Sequence, residues 1–503
     1  MTTWSKYQQA VFENVASGTG HTVITAVAGS GKTTTIVEAL GHVPYGCKTL
    51  FVAFNKSIAN ELAKRAPKTV EVSTLHSYGL KTITKSLGRL RINGDRVDHM
   101  IRVMYSQREL SLVGALEKLA MAMNVKNPDD LFTFEMRRDL TKTVSLAKGS
   151  LASDEADIDA ILDGYGIEMT EEIVRKAFIE DALKIMIRCA NVSADNEDDL
   201  DGQIDFDDMI WLPIVRDLKQ TKFDRVFVDE TQDLNPAQIE MTMRAVRPGG
   251  RICAVGDPRQ AIYGFRGADS AAVTNVITRL NAKVLPLSVC YRCCKSVIRE
   301  AQEIVPEIEW ASNAEEGEVN DASVKDLIKN ARPGDFVLSR TNAPLISLCL
   351  RFLKEGRRAN IQGRDIGASL ASFVRRSKKK TIKELCDYVE KWRDDECARL
   401  AAKNRNTQSV EDRAECILAL AEGEESVDAV IRNIEGLFAD ADDKNTITLS
   451  TTHKAKGLER ERAWVLQSTY MRRPAEEERF LYYVAITRAK RSLFLVHGSN
   501  SER

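Results

Sequence analysis

The stretch His21–Leu40 reads HTVITAVAGSGKTTTIVEAL and sets the expectation for the fold of the chain. Its β-branched run predicts a strand over His21–Ala28, and Thr34–Leu40 is predicted to open a helix. Gly29 and Gly31 let backbone N–H groups converge on phosphate oxygens without a Cβ in the way. The sequence therefore predicts a strand, a phosphate-binding loop and a helix in succession.

The loop itself, Ala26–Thr33, carries side chains suited to a nucleotide with Mg²⁺. The Lys32 ammonium can reach β- and γ-phosphates, and the Thr33 hydroxyl can ligate the metal ion. Ala26 stands where the usual pattern has its first glycine. The predicted nucleotide-binding residues of this segment are Ala28, Gly29, Ser30, Gly31, Lys32, Thr33 and Thr34.

A second acidic motif lies far downstream, at Val226–Asp233 (VFVDETQD). A buried strand that ends in two carboxylates can place Asp229 on the magnesium shell and Glu230 as general base for the attacking water. Together with the phosphate loop, this motif predicts hydrolysis of a Mg-nucleotide.

The net charge, the apolar runs and the cysteine positions each exclude a class of protein. The 503 residues include 72 Lys+Arg and 73 Asp+Glu, so the net charge of -1 argues against a globally basic nucleic-acid binder, although not against local basic patches. We expect no membrane span and no secretory signal. The ten cysteines are scattered, apart from Cys290, Cys293 and Cys294, which favours a reducing cytoplasm and buried thiols over a zinc site.

Short apolar runs alternate with helical stretches, which predicts an α/β fold with two doubly wound parallel sheets, each carrying a mainly helical insertion. We expect the first sheet domain at 1–90 and 202–282 with its insertion at 91–201, and the second at 283–368 and 444–503 with its insertion at 369–443. The predicted strands are His21–Ala28, Lys48–Phe54, Arg225–Asp229, Arg251–Gly256, Asp335–Arg340, Thr446–Ser450, Ala463–Gln467 and Ser492–His497.

These motifs, with those below, resemble superfamily 1 helicases of the UvrD/Rep/PcrA type. The core looks closest to the helicase region of F-box DNA helicases and their phage-encoded relatives. The resemblance runs from Gln8 to Lys490 outside the helical insertions, and the motifs occur in the family's order. It implies two RecA-like domains, with ATP and Mg²⁺ in the cleft between them. We expect no F-box ahead of Gln8 and no nuclease domain after Lys490.

The resemblance assigns further ATP contacts. Gln8, or its neighbour Gln9, would read adenine, and Gln260 in GDPRQAIYGFRGA would sense the γ-phosphate. In LSVCYRC, Tyr291 would stack on adenine and Arg292 would contact the γ-phosphate. Glu459 in STTHKAKGLE would contact the ribose, and Arg488 in YYVAITRAK would contact the γ-phosphate.

The resemblance also implies a set of DNA contacts. Phe54 in FVAFNK, and Tyr263 and Phe265, would stack on unpaired bases. The remaining implied DNA contacts, made to phosphate or close to the strand, are Asn55, Lys56, Thr74, His76, Arg266, Thr452 and His453.

The resulting prediction is an ATP-dependent DNA helicase that moves 3′→5′ on single-stranded DNA and unwinds duplex, as a monomer or weak oligomer. Its partners would be single-stranded DNA and single-strand/duplex junctions. Two alternatives stay open: a translocase or protein-stripping ATPase with little unwinding, and a non-motor nucleotide-dependent DNA-binding module. The basic run Arg375–Lys380 (RRSKKK) is either a duplex contact or a solvated helix face. Repair, replication and recombination all remain open as pathways.

Overall fold

The computed structural model describes residues 4–53, 55–167, 169, 171–194, 200–262, 271–402, 407–439, 445–470 and 476–498. They form two compact units. Unit 1 comprises Met1–Ala26 and Lys32–Leu287, and unit 2 comprises Val27–Gly31 and Ser288–Arg503.

Unit 1 is built on a parallel sheet with the strand order β3-β2-β6-β7-β1-β8 among its described residues. The central strands are almost wholly buried, as expected for strands covered on both faces. A pair of two-residue strands, β4 and β5, lies apart from this sheet. The strands are β1 (Thr22–Ala26), β2 (Thr49–Ala53), β3 (Val70–Thr74), β4 (Arg91–Ile92), β5 (Gln203–Ile204), β6 (Phe223–Val228), β7 (Val246–Gly256) and β8 (Lys283–Leu287).

The helices of unit 1 fall into two groups. One group packs around the sheet, and the other, between β4 and β5, forms a separate hydrophobic core together with residues of the helices just before β4 and just after β5. In chain order they are α1 (Lys6–Ser17), α2 (Lys32–Leu40), α3 (Lys56–Arg65), α4 (Leu75–Leu87), α5 (Arg96–Ser106), α6 (Ser111–Met123), α7 (Phe134–Ser150), α8 (Glu155–Tyr165), α9 (Glu172–Ala190), α10 (Asp208–Val215), α11 (Pro236–Ala245) and α12 (Ala272–Leu280).

Unit 2 has a second parallel sheet, with the order β11-β17-β16-β12-β15-β13-β14 in the part of the chain that is described. The short strands β9 and β10 pair separately. The strands are β9 (Val289–Cys290), β10 (Glu309–Trp310), β11 (Glu318–Ser323), β12 (Phe336–Ser339), β13 (Ala359–Gln362), β14 (Phe438–Ala439), β15 (Ile447–Thr451), β16 (Arg460–Leu466) and β17 (Ala489–His497).

A run of four helices, α16 to α19, lies between β13 and β14 of unit 2. They share one hydrophobic core with part of the sheet. The helices of this unit are α13 (Lys295–Gln302), α14 (Val324–Asn330), α15 (Ala343–Lys354), α16 (Arg364–Ser377), α17 (Ile382–Ala401), α18 (Gln408–Ala421), α19 (Val427–Leu437), α20 (Thr452–Ala455) and α21 (Glu476–Ile486).

The predicted fold class, two doubly wound parallel sheets of the RecA-like kind with helical insertions, is confirmed. One boundary needs correction. Lys283–Leu287, expected at the start of the second sheet domain, is β8 and pairs with β1 at the edge of the unit 1 sheet. Pro286 lies within this strand, and an edge position tolerates it because one side of the strand needs no ladder hydrogen bonds. Among the described residues, no helix is long and apolar enough to cross a bilayer.

Candidate nucleotide and nucleic-acid site

The phosphate loop begins directly after β1 and ends where α2 starts at Lys32. Gly29 and Gly31 have φ values of +67° and +73°, in the left-handed region that glycine adopts without strain. A Cβ on Gly29 would also lie 2.6 Å from the Cβ of Arg292. Ala26, in place of the usual first glycine, is the last residue of β1 and is fully buried, so a methyl group is accommodated there.

Residues Val27–Gly31 of the loop belong to unit 2, and two hydrogen bonds within that unit anchor their backbone. The Tyr483 hydroxyl accepts a hydrogen bond from Ala28 N at 2.8 Å, and Gly29 O accepts one from Tyr291 N at 2.8 Å. Ser30 is buried, and its hydroxyl has no hydrogen-bond partner within the described residues. The backbone of the loop is therefore anchored, while a polar group remains for a ligand.

Lys32 and Glu230 form an ion pair in unit 1, with 2.7 Å between Nζ and Oε2. Burial alone would lower the pKa of Lys32, but the charges of Glu230, Asp229 and Asp257 outweigh burial and raise it. The lysine is thus held as a cation at the carboxyl edge of the sheet, where parallel strands end together.

Asp229 and Glu230 follow the end of β6. Asp229 is buried, and its Oδ1 accepts a hydrogen bond from Glu230 N at 2.9 Å. Burial and the neighbouring charge of Glu230 raise the pKa of Asp229 to about 7. Glu230 has a φ of +51°, which is uncommon for a residue with a Cβ and is found most often where function requires the strain.

Two residues that sequence reasoning missed, Gln232 and Asp257, complete this cluster. Gln232 Nε2 donates to Glu230 Oε2 at 2.5 Å, and its Oε1 accepts from Asp257 N at 3.0 Å. Gln260 in turn donates from Nε2 to Asp257 Oδ2 at 2.7 Å. Gln232 lies in the motif VFVDETQD and Asp257 in the motif GDPRQ, but only the pairing of β6 with β7 brings the two motifs side by side.

The cluster suits a divalent cation. The charges of Asp229, Glu230 and Asp257 all raise the pKa of Lys32, so three carboxyl groups lie around one ammonium group. Burial also raises the pKa of Asp257, although Lys32 opposes this shift. Carboxylate and hydroxyl oxygens are the ligands that Mg²⁺ prefers, and the buried Thr231 hydroxyl has no partner among the described residues. Within the described residues no three His, Cys, Asp or Glu side chains converge on one point. Mg²⁺ is usually bound through only one or two carboxylates, with phosphate and water as its other ligands, so Asp229 still fits the predicted metal ion.

Gln8 is buried between α1 and α2, whereas Gln9 is exposed. Gln8 Oε1 accepts from Ser5 N at 3.0 Å, which completes a capping box, and its Nε2 donates to Thr35 Oγ1 at 3.0 Å. Gln9 donates to Trp4 O at 3.3 Å. Of the two glutamines, Gln8 is therefore the one tied to the helix that follows the phosphate loop. On that helix Thr33 is half-buried and Thr34 exposed.

In unit 2, Arg292 and Glu459 form an ion pair, and Glu459 Oε1 lies 2.8 Å from Lys490 Nζ. Burial opposes the ionisation of Glu459, but Lys490 and Arg292 together lower its pKa. Tyr291, the residue before Arg292, is 45% exposed. Its ring therefore presents accessible aromatic surface.

Arg488 is almost completely buried in unit 2. Its guanidinium donates to Val484 O at 2.8 Å and to Leu458 O at 3.1 Å. Burial and the charge of Arg292 lower its pKa to about 10. Two arginines are therefore held near each other, with Glu459 paired to Arg292, and a further negative group beside them would be stabilised.

Asn55 lies just after β2 and Thr74 is the last residue of the neighbouring strand β3, and each caps the helix that comes next. Asn55 Oδ1 accepts from Ile58 N at 2.9 Å, and Thr74 Oγ1 accepts from Ser77 N at 3.2 Å. Lys56 is exposed in the first turn of α3. Two helix N-termini at one sheet edge, with a lysine, form a surface suited to phosphate.

The other predicted DNA contacts have mixed placements. His76 is half-buried, and burial lowers its pKa although Asp207 opposes the shift. Thr452 is fully buried, with its hydroxyl 2.5 Å from that of Tyr470, so a direct DNA contact would require this hydrogen bond to open. His453 is half-buried. Phe54, Tyr263, Phe265 and Arg266 lie outside the described residues.

The cysteine cluster consists of buried thiols. Across the described part of the chain, no group of three or more His, Cys, Asp or Glu side chains is arranged to hold a metal ion.

Comparison with known proteins places the chain in a family. Residues 6–281 match the UvrD/REP helicase N-terminal domain, and residues 354–500 match the UvrD-like helicase C-terminal domain. Similar proteins include the ATP-dependent DNA helicase PcrA of Bacillus subtilis (strain 168), 26% identical over 60% of this chain and 41% of the relative. PcrA of Staphylococcus epidermidis (strain ATCC 12228 / FDA PCI 1200) is 24% identical over 75% of this chain and 52% of the relative. PcrA of Staphylococcus aureus (strain Mu50 / ATCC 700699) is 24% identical over 68% of this chain and 49% of the relative.

The chain thus spans about half the length of the curated relatives it matches. The N-terminal family match alone covers more than half of the chain, and it includes the phosphate loop, the acidic pair and Gln260. This protein belongs to the UvrD/Rep helicase family.

Proposed function

We propose that this chain is a DNA helicase driven by the hydrolysis of Mg-ATP. The observation that carries the proposal is the cluster of Lys32, Glu230, Asp229 and Asp257 at the carboxyl edge of the unit 1 sheet. It supplies a phosphate-binding cation, a general base and metal-binding carboxylates in one place. The relatives' description as ATP-dependent DNA helicases supports ATP as the nucleotide and DNA as the substrate.

In this proposal the Lys32–Glu230 ion pair is the resting state of the hydrolytic site. The phosphates of ATP would bind the ammonium group of Lys32 in place of Glu230. The Glu230 carboxylate would then be available to accept a proton from the attacking water. Gln232 would keep the Glu230 carboxylate oriented through its 2.5 Å hydrogen bond. Thr33 and Asp229 would hold Mg²⁺, which would neutralise charge on the phosphates.

Five other residues complete the proposed ATP site. Gln8 would read the adenine edge, and Tyr291 would stack on its face. Arg292 and Arg488 would supply positive charge to the γ-phosphate in the transition state, which would satisfy the two adjacent guanidinium groups of unit 2. Glu459, now paired with Arg292 and Lys490, would turn to the ribose hydroxyl.

We further propose that single-stranded DNA lies along the helix N-termini capped by Asn55 and Thr74, with Lys56 on a phosphate. Hydrolysis would drive stepping in the 3′→5′ direction, as the resemblance to Rep-like helicases implies. The closer kinship with F-box helicases and their phage relatives stays a prediction, as does a cytoplasmic location.

Strand displacement from matched tailed duplexes tests this function. One duplex carries a 3′ single-stranded tail and the other a 5′ tail of the same sequence composition, each with ATP and Mg²⁺. We expect displacement from the 3′-tailed duplex. Displacement from the 5′ tail alone would refute the polarity.

Translocation along single-stranded DNA, measured in parallel, separates the helicase from a translocase. Translocation without displacement from either duplex would favour a translocase with little unwinding. ATP turnover that does not respond to single-stranded DNA would instead favour a non-motor DNA-binding module.

A further inference from the structure

Cys290 and Cys293 bracket Tyr291 and Arg292 in a C-x-x-C arrangement. Both cysteines are buried in unit 2, with 0% and 3% of their surface exposed. Cys293 N donates to Cys290 Sγ at 3.4 Å, and the two thiols are themselves hydrogen-bonded. The neighbouring Cys294 is engaged elsewhere, because its thiol donates to Arg491 O at 3.3 Å. Cys290 and Cys293 therefore form a distinct pair.

The pair contacts segments that carry three of the proposed ATP contacts. A Cβ on Gly29 would lie 2.8 Å from Cys290 Sγ, so this sulfur packs directly on the phosphate loop. The Cys293 thiol donates to Thr487 O at 3.6 Å, next to Arg488. Arg292 lies between the two cysteines and also donates to Thr487 O, at 3.4 Å. A change in either sulfur is therefore transmitted to the phosphate loop and to both arginines.

Cys290 differs chemically from the other buried cysteines. Burial raises the pKa of Cys253 and of Cys349 to about 12. At Cys290, hydrogen bonds from the Cys293 thiol and from backbone N–H groups, together with the Arg292 charge, lower the pKa to about 7. The Cys293 pKa lies well above the usual range, so this residue remains a thiol beside a thiolate. One nucleophilic and one protonated cysteine in contact are the components of a redox pair.

We propose that Cys290 and Cys293 are a reversible dithiol/disulfide pair whose oxidation stops ATP hydrolysis. The inference rests on the proposed function, because it assigns a regulation to the same site. The oxidant is a peroxide small enough to reach a buried thiolate.

The reaction balances in two steps. The Cys290 thiolate attacks one oxygen of hydrogen peroxide, the O–O bond breaks, and the products are a sulfenic acid and hydroxide. The Cys293 sulfur then attacks the Cys290 sulfur, the S–O bond breaks, and the Cys293 proton leaves with that oxygen as water. Two thiols are oxidised to one disulfide while the peroxide is reduced to water, and a dithiol reductant reverses the change.

Oxidation would disturb the site in two ways. The covalent bond draws Cys290 and Cys293 together around Tyr291 and Arg292, and it moves a sulfur that packs against Gly29 of the phosphate loop, 2.8 Å from where a Cβ would lie. The disulfide also removes the thiolate that accepts N–H groups from Arg292 and Cys293. The loop that carries Arg292 then loses the support that orients it.

Peptide mapping and ATP turnover on the full chain test the proposal. The reduced protein is treated with hydrogen peroxide, the remaining thiols are alkylated, and disulfides are located by mass spectrometry without reduction. We expect a Cys290–Cys293 disulfide and a loss of turnover of about 10- to 100-fold, since small displacements of catalytic groups have effects of this size. Dithiothreitol should restore the rate.

Serine variants supply the controls, each compared with its own reduced rate. Cys290→Ser should be insensitive to peroxide and Cys293→Ser should form no disulfide, whereas Cys294→Ser should form the disulfide and be inhibited like the unmodified chain. A disulfide that forms without loss of turnover would overturn the proposal, and so would inhibition without this disulfide. If the reduced chain does not hydrolyse ATP, the proposed function fails, while the mapping still reports directly on the pair.

Discussion

At the residue scale, the nucleotide site depends on side chains that hold one another in place. The ion pair of Lys32 with Glu230 is braced by Gln232, which also reaches the backbone of Asp257. The phosphate loop and the acidic pair were predictable from sequence because each motif is contiguous. Gln232 and Asp257 were not, because their roles arise only when β6 and β7 pair and bring distant segments together.

Gln8 and Gln9 give a matched test of adenine recognition. Gln8 is buried and bonded to Thr35 of α2, whereas Gln9 is exposed. We expect Gln8→Ala to reduce the preference for ATP over GTP about 10-fold or more, because an adenine-specific hydrogen bond is lost. Steady-state kcat/KM for both nucleotides measures the preference.

Gln9→Ala is the control and should keep the preference of the unmodified chain. The nucleotide ratio is insensitive to a general loss of folded protein, which matters because Gln8 also completes a capping box. Loss of the preference in Gln9→Ala alone would transfer the role to Gln9.

At the scale of elements, the sequence predicted the central strands and missed several at the edges. The strands β1, β2, β6 and β12 are continuous apolar runs because both faces of the sheet are covered. The missed strands lie at or near a sheet edge and contain polar residues or proline, as in VEVST of β3 and EVNDAS of β11. Such segments obtain their extended form from one neighbouring strand rather than from their own pattern.

A buried charge cluster joins the helices of unit 1 between β4 and β5 to the start of α10. Lys148 of α7 lies 2.7 Å from Asp205 and 2.8 Å from Asp208, and Arg96 of α5 lies 2.7 Å from Asp208. All four side chains are buried. Two cations and two carboxylates compensate one another, so removing one partner leaves an uncompensated buried charge.

Lys148→Met should therefore destabilise the chain strongly. Asp205 and Asp208 would face each other without their shared cation, and the loss is expected to be about 3–5 kcal/mol. The exposed Lys142 lies on the same helix, so Lys142→Met is the matched control and should stay within about 0.5 kcal/mol. Urea unfolding of both variants measures the difference, and equal stabilities would show that the cluster contributes nothing.

At the scale of the whole molecule, the site makes stability depend on pH. The pKa of Asp229 rises from 3.8 to about 7 on folding, so the folded chain binds this proton more tightly than the unfolded chain. The stabilising contribution is present below about pH 4 and is lost as pH rises through about 7. Above that pH the folded chain holds an unfavourable buried carboxylate.

Asp229→Asn should accordingly stabilise the chain at pH 8 in the absence of nucleotide and metal ion, by at least about 1 kcal/mol, and less at pH 5. Urea unfolding at several pH values measures the gap between this variant and the unmodified chain. The gap should widen between pH 5 and 8. Asp428→Asn, an exposed substitution in unit 2, should show no such trend, and a constant gap for Asp229→Asn would contradict the assignment.

The near equality of 72 basic and 73 acidic residues is compatible with a nucleic-acid enzyme, because charge is arranged locally. The phosphate-facing groups proposed here are helix N-termini and single lysines rather than a basic surface. DNA binding of this kind neutralises few phosphates at once, and it allows the strand to be released after each step.

The central claim is that the Lys32–Glu230 cluster hydrolyses ATP in a manner coupled to single-stranded DNA. ATP turnover, measured with and without single-stranded DNA for the unmodified chain and for Glu230→Gln, tests it most directly. We predict that DNA stimulates turnover by the unmodified chain, and that Glu230→Gln still binds ATP but turns over at least about 100-fold more slowly. Undiminished hydrolysis by Glu230→Gln would contradict the account.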